Sequence, residues 1–366
     1  MPISSTKRAW IVIAGLLFLI LGGLGVYYLT QRRPLPPLPG ANHAGPPPDI
    51  LSQLPPDAPV VAYLDASALR KLQNSPLAAV LGLTSPGPEA DREYADFVRD
   101  TGFDYTRDLD HAALAFWPSS FGPPDNPLAE DRMLAIADGR FDQQKIKAYA
   151  LRTGKQITRG SQSIYEVPGS PPISLEFLSA TRIAIAGGKG ATDLVANISS
   201  RAPAARDPEM QSRIQRVAGA PIFAVARTDK LPPSFYAGLR NSPQLERLVR
   251  SIRGLTLAGQ PEGDNLKMAL DAECDSMKSA LEISALLDTF RMVGSMAISD
   301  AKMRREMTRE QAAFLSALIN QLKVTHQDKW VRLSLDITPA MLGAPRSRSA
   351  STPATPAPAP AAHPAH

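Results

Sequence analysis

The sequence predicts an α+β fold, an N-terminal transmembrane helix followed by a duplicated sheet-and-helix body. Three observations point there. Residues 9–30, "AWIVIAGLLFLILGGLGVYYLT", hold no charge over 22 positions. The central region alternates short apolar runs of strand length with longer stretches of helical period. The tripeptide Asn-Ser-Pro occurs twice, from Asn74 and from Asn241, each time downstream of a strand led in by Ala-Pro.

Each element follows in order. Residues 1–8 form a short cytoplasmic tail. At ~1.5 Å per residue the 9–30 segment is ~33 Å long, enough to cross a bilayer's hydrocarbon core. Trp10 lies near one end and Tyr27 and Tyr28 near the other, where interfacial aromatics belong. Lys7 and Arg8 flank one side and Arg32 and Arg33 the other; the α-amino charge of the tail favours N-inside, with the body beyond the cytoplasm. A cleaved signal peptide would need a shorter apolar region and small residues after it, but Gln31-Arg32-Arg33-Pro34 follows. Residues 31–48 are a Pro-rich linker that favours extended polyproline II and acts as a spacer. Residues 345–366 hold no apolar side chain larger than proline and are expected to form a disordered Ala/Pro-rich tail.

The body divides into a first α+β unit, 49–204, and a second, 205–344. In the first, Ala58-Pro59 leads a strand at Val60–Leu64, a helix starts near Ala66, and Asn74-Ser75-Pro76 opens another. Strands at 111–118 and 132–141 and a helix capped by Asp142 follow. In the second, Ala220-Pro221 leads a strand at Ile222–Ala226, Asn241-Ser242-Pro243 opens a helix, strands run over 254–261 and 266–274, and Asp275 caps the next helix. The shared order predicts an internal duplication; chance recurrence of common turn chemistry is the alternative.

The units then diverge. The first continues with three strands, "ITRGSQSIYEV", "ISLEFLS" and "TRIAIAGG", and a helix at 191–198. The second continues with a long helix carrying Ile283, Leu286, Leu287, Phe290 and Val293 on one face, and another from Thr308 with Phe314, Leu315, Leu318, Ile319 and Leu322. A hairpin closes it, with Trp330, Arg332, Ser334 and Asp336 on a wet face and Val331, Leu333, Leu335 and Ile337 on a buried one.

Composition narrows the function. Hydrophobic residues make up 44% of the chain, enough for a large core. Six of the 40 basic residues lie outside 49–344 and all 35 acidic residues lie inside. The body thus has 34 basic against 35 acidic residues, a net of −1, unlike the concentrated basic face of a nucleic-acid binder. The single cysteine, Cys274, rules out an intramolecular disulfide and a multi-cysteine metal site.

Candidate chemistry is sparse. His111 and His326 are the body's histidines, without ligand spacing or a nearby cysteine. No Gly-x-Ser-x-Gly elbow is present. Cys274 precedes a helix, which favours a thiolate, but adjacent Asp275 opposes it. Asp104, Asp108 and Asp110 are weak metal candidates; three carboxylates in seven positions suit a hard cation, without the order of an EF-hand loop. "AGGKGATDL" (186–194) joins a strand to a helix, a context that can hold phosphate, but lacks the full phosphate-loop pattern. No catalytic or cofactor-binding residue is assigned, and no cofactor is expected.

The stretches "LPPDAPVVAYLD" and "TGFDYTRDLDHAALAF", with the N-terminal anchor, resemble a group of uncharacterised, membrane-anchored bacterial proteins known only as a domain of unknown function. The resemblance implies a bacterial envelope setting and carries over no site residue. The expectation is a single-pass inner-membrane protein, its body in the periplasm or outside the cell. Its partners are the bilayer, through 9–30, and another envelope protein, a cell-wall component or an apolar ligand; nucleic acid is not among them. The body then binds or scaffolds rather than catalyses. The alternatives are a membrane-tethered metal-dependent hydrolase and a structural subunit of a membrane complex.

Overall fold

The computed structural model describes residues 48–70, 92–118, 131–169, 171–198, 207–231, 236, 242–299 and 309–342. The segment 9–30, nearly all of the linker, the 345–366 tail and the first Asn-Ser-Pro lie outside them. Among the described residues no helix is long and apolar enough to cross a membrane.

In the first unit, β1 (Val60–Asp65) ends at Asp65, whose carboxylate accepts the Ala68 N–H and starts α1 (Ala66–Leu69). α2 (Arg92–Thr101) and α3 (Tyr105–Asp108) lead into β2 (Leu109–Trp117) and β3 (Arg132–Gly139). Asp142 accepts the Lys145 N–H and caps α4 (Gln143–Thr153), as expected. The single strand expected over "ITRGSQSIYEV" is instead a hairpin, β4 (Lys155–Arg159) and β5 (Gln162–Val167); Gly160, with φ 60°, turns the chain where another residue would be strained. β6 (Ile173–Phe177), β7 (Arg182–Gly187) and α5 (Ala191–Ala196) complete the unit.

In the second unit, α6 (Pro208–Gln215), capped by Asp207, precedes β8 (Ile222–Arg227). α7 (Pro243–Arg250) starts with Pro243 in its first turn, although the Ser242 side chain makes no capping hydrogen bond. β9 (Ile252–Glu262) and β10 (Asn265–Cys274) pair antiparallel, and α8 (Met277–Ser299) follows. Its N-terminus is capped by Ser276, whose hydroxyl accepts the Ser279 N–H, and not by Asp275, whose N–H is turned back to the Ser251 carbonyl. α9 (Arg309–Gln321), β11 (Lys323–Gln327) and β12 (Trp330–Ile337) close the described fold.

The protein is mixed α/β, and its twelve strands form one antiparallel sheet in the order β11-β12-β10-β9-β8-β1-β2-β3-β7-β6-β5-β4. The expected units contribute seven and five strands and share that sheet through β1 and β8. The seam is symmetric. Ala62 pairs with Ala224, Val60 with Ala226 and Leu64 with Ile222, so a local two-fold passes through the alanine pair. Walking outward along one rung sets the two expected units side by side. In the first unit the rung reads Tyr63, Ala113, Ile136, Ala184. In the second it reads Val225, Thr256, Asp271, Arg332.

These rungs lie on the face covered by the 49–53 turn, α5 and α6. There Val61, Ala115, Leu134, Phe223 and Ala258 join Ile50, Leu54, Val195, Met210 and Ile214 in one core that crosses the seam. On the opposite face α4 packs with Tyr165 and Ile183 at one end, while α8 packs Ala280 and Ile283 on Leu270 and Val331 at the other. The sheet's borders are β4 and β11, each five residues long and mostly exposed. Arg332 is not on a wet face as expected: it is 4% exposed, because it forms an ion pair with Asp271.

Candidate functional site

The three aspartates weighed for metal binding each have other partners. Asp104 accepts the Thr106 N–H at 2.9 Å, capping α3, and the Tyr94 hydroxyl at 2.9 Å. Asp110 pairs with Arg70 at 2.6 Å. Asp108, its side chain 7% exposed, binds Arg107 at 2.6 Å and Arg140 at 3.3 Å and accepts the Asp104 N–H. Among the described residues no group of three or more His, Cys, Asp or Glu is placed to hold a metal ion.

The Arg107 hydrogen bond leads the forces that lower the Asp108 pKa to about 2, overcoming the opposing effect of burial. A depressed carboxylate adds stability above its unfolded pKa, and that stability is lost as pH falls through the folded value. A gap of nearly two units corresponds to about 2 kcal/mol. Asp108→Asn is therefore expected to cost about 2 kcal/mol at neutral pH and to flatten the acid limb of stability between roughly pH 4 and pH 2. Urea denaturation across that range checks it; an unchanged acid limb would refute the assignment.

The remaining sequence candidates also sit in structural roles. The His111 Nδ1 lies 3.0 Å from the Tyr63 hydroxyl and 3.7 Å from Asp65. The His326 Nδ1 lies 3.2 Å from the Ser284 hydroxyl. Cys274 is 1% exposed, and burial first, then Asp275 and Glu273, pushes its thiol up to about 12; it stays a protonated core residue.

The glycine turn after β7 lines a groove of about 810 Å³ with Arg132, Arg159, Lys189, Glu166 and Asp193. Gly188 has φ 89°, and a Cβ there would lie 1.8 Å from the Asp131 carbonyl oxygen. The turn thus lets two backbones touch. Several of the groove's polar side chains bind one another, Arg159 with Asp193 at 2.5 Å and Thr192 donating to Glu166 at 3.1 Å, and Lys155 from outside the groove also binds Glu166 at 3.1 Å.

Two features were not singled out by sequence reasoning. The first is the middle of the sheet on the α4/α8 face. Val60, Leu64, Leu114, Phe116, Ile222 and Ala226 project there and are only half-buried, while Val61, Tyr63, Ala113, Ala115, Phe223 and Val225 on the same three strands are buried. These strands are apolar on both sides, a pattern that belongs to sheets covered on both faces. The sequence locates these strands, but a run apolar on both sides does not say which side is left open.

The second is a charged network in the second unit. Arg332 binds both oxygens of Asp271, at 2.5 and 2.8 Å. Arg216 donates to the same carboxylate at 2.9 Å and stacks 3.9 Å from the Trp330 ring. Arg213, 4% exposed, donates to Glu273 at 2.8 and 3.0 Å, and Lys329 binds the other oxygen of Glu273 at 2.7 Å. Aligning the two units rung by rung would have found it, since Asp271 then falls opposite Ile136.

Fold and site together define a mixed α/β protein built on one large antiparallel sheet, with a half-covered apolar face. No family model matches the chain, and no curated protein matches it. Among solved structures it is similar to crystal form I of TP0453, with TM-score 0.41 and 9% identity over 80% of this chain and 94% of that one. Crystal form III gives TM-score 0.42 and 10% identity over 80% and 96%. Crystal form IV gives 0.43 and 10% over 80% and 94%.

Proposed function

We propose that this is a non-enzymatic binding protein of the bacterial envelope, held in the inner membrane by residues 9–30, which takes an apolar ligand on the open side of β1, β2 and β8. The observation that carries the reading is the half-burial of Leu64, Leu114, Phe116 and Ile222 on strands whose other side is core. Apolar area left in water costs roughly 25 cal/mol per Å², so a continuous apolar floor gains by being covered. The local two-fold through Ala62 and Ala224 crosses this floor, so both units contribute matching positions to it.

A photoreactive benzoylphenylalanine at Leu114, in the full-length protein in its native membrane, tests this. Irradiation is expected to yield an adduct with an apolar molecule of small mass, while the same residue at the exposed Lys267 yields none. No adduct at Leu114, or one with another polypeptide, would sink the ligand reading.

The subunit reading has its own support. Met277, Leu281, Phe290, Met292, Val293 and Met296 of α8 are exposed, an apolar set of the kind found at protein interfaces.

A further inference from the structure

The outer side of α8 carries a spacing that reads the same in both directions. Met277, Leu281, Ala285, Asp288, Met292 and Met296 follow one another at intervals of four, four, three, four and four. At ~100° per residue all six fall within about 100° of the helix circumference, the width of an ordinary packing stripe. The other side of α8 is occupied. Ala280 and Ile283 lie in the core, Ser284 reaches His326 of β11, and a Cβ on Gly294 would stand 3.0 Å from Ile319 of α9. Met277, Leu281, Met292 and Met296 are 64%, 53%, 42% and 65% exposed. Four large apolar side chains thus stand in water on a helix that its other side fixes to the sheet.

A spacing symmetric about its centre is what a two-fold contact requires, because an isologous interface presents one patch to itself. A dyad crossing α8 between Leu286 and Leu287 sets Met277 of one copy opposite Met296 of the other. It likewise sets Leu281 opposite Met292 and Ala285 opposite Asp288. The mixed intervals of four and three about that centre are those of a helix–helix seam. Asp288 decides the direction. In a parallel pair it would face its own counterpart, and two carboxylates in an apolar seam repel each other and lose hydration. In the antiparallel pair it faces Ala285, whose small side chain leaves room for the carboxylate and for the Arg291 guanidinium 3.3 Å from it. A different protein or a lipid surface would gain from exposed methionines in any order; only a second copy makes use of the symmetry.

We propose that α8 is a self-association surface, pairing antiparallel with the α8 of a second copy of this chain. The proposal rests on the subunit reading and names its partner, and the apolar-ligand reading does not depend on it.

Cysteine cross-linking tests it. Cys274, 1% exposed, is out of reach of an oxidant, so introduced cysteines report alone. Full-length protein carrying both Leu281→Cys and Met292→Cys is oxidised in its native membrane. Within one chain these positions lie ~17 Å apart along the helix, too far for a disulfide, whereas across the dyad they face each other. A covalent dimer is expected in yield at least about tenfold above that of either single-cysteine variant. No dimer, or equal cross-linking by Leu281→Cys alone as a parallel pair would give, overturns the proposal. A bond to a different polypeptide also overturns it while leaving the subunit reading standing. Light scattering of the full-length protein in detergent is a second measurement that needs no cysteine. The protein mass is expected to be twice that of one chain and to halve in Leu281→Lys. A single-chain mass in the unsubstituted protein, or a doubled mass that survives Leu281→Lys, overturns the proposal.

Discussion

Asp271→Ala is expected to destabilise the body by about 3–5 kcal/mol, because it strands a buried guanidinium without its counter-charge. Asp271 has no exposed surface and Arg332 is 4% exposed, so neither arginine-carboxylate contact can be replaced by bulk water without local opening. Arg332→Ala should cost a similar amount, leaving the carboxylate short of its bidentate partner. The first unit supplies the compensating design: Asp271→Ile with Arg332→Ala copies Ile136 and Ala184 onto the same rung. That double variant is expected to lie within about 2 kcal/mol of the parent, far from the sum of the single losses. Urea denaturation of the parent, Asp271→Ile, Arg332→Ala and the double variant closes the cycle, with Asp271→Ala measured beside it. Single losses below about 1 kcal/mol, the level of an exposed pair, would show that the interaction does not act as a buried one.

The second large effect is expected at the seam. Phe223 is 1% exposed, stacks 5.3 Å from the Tyr63 ring across the β1–β8 ladder, and belongs to the core shared by both units. Phe223→Ala removes that ring from a packed site and is expected to cost about 3–5 kcal/mol. Because the core is continuous across the seam, the loss should shift one cooperative transition rather than separate two. Calorimetry measures this directly: a calorimetric to van't Hoff enthalpy ratio near one is expected in both proteins. Two resolved transitions would mean that the units fold as separate bodies despite their common sheet.

Much of this architecture was legible in the chain. Ala58-Pro59 and Ala220-Pro221 do precede strands, β1 and β8, and β1, β2, β3, β8, β9 and β10 fall within a few residues of their expected bounds. Apolar runs flanked by turn residues carry that information locally. What was not legible depended on partners far away in sequence. "ITRGSQSIYEV" read as one strand because Gly160 resembles any strand glycine until its positive φ is seen. Asp275 read as a cap because aspartate commonly is one, but the cap sits one residue later, at Ser276, while the Asp275 N–H is held by Ser251. Arg332 read as wet because charge usually marks the solvent side, and only its Asp271 partner, 61 positions earlier and on the next strand, shows otherwise. The weighed aspartates were a compositional signal, and their geometry ties them to arginines, backbone and a tyrosine. The apolar floor and the network around Asp271 and Glu273 are collective features of several strands, which no single window of sequence contains.

An open sheet of twelve strands has two borders whose backbone groups are available to any passing strand, the commonest route to edge-to-edge aggregation. Here both borders are cut to five residues, and the ion-paired Lys155 and Arg159 on one and Lys323 on the other place hydrated charged groups where an incoming chain would have to dock. Copies crowded side by side can therefore keep a broad, unclosed sheet without stitching into fibrils.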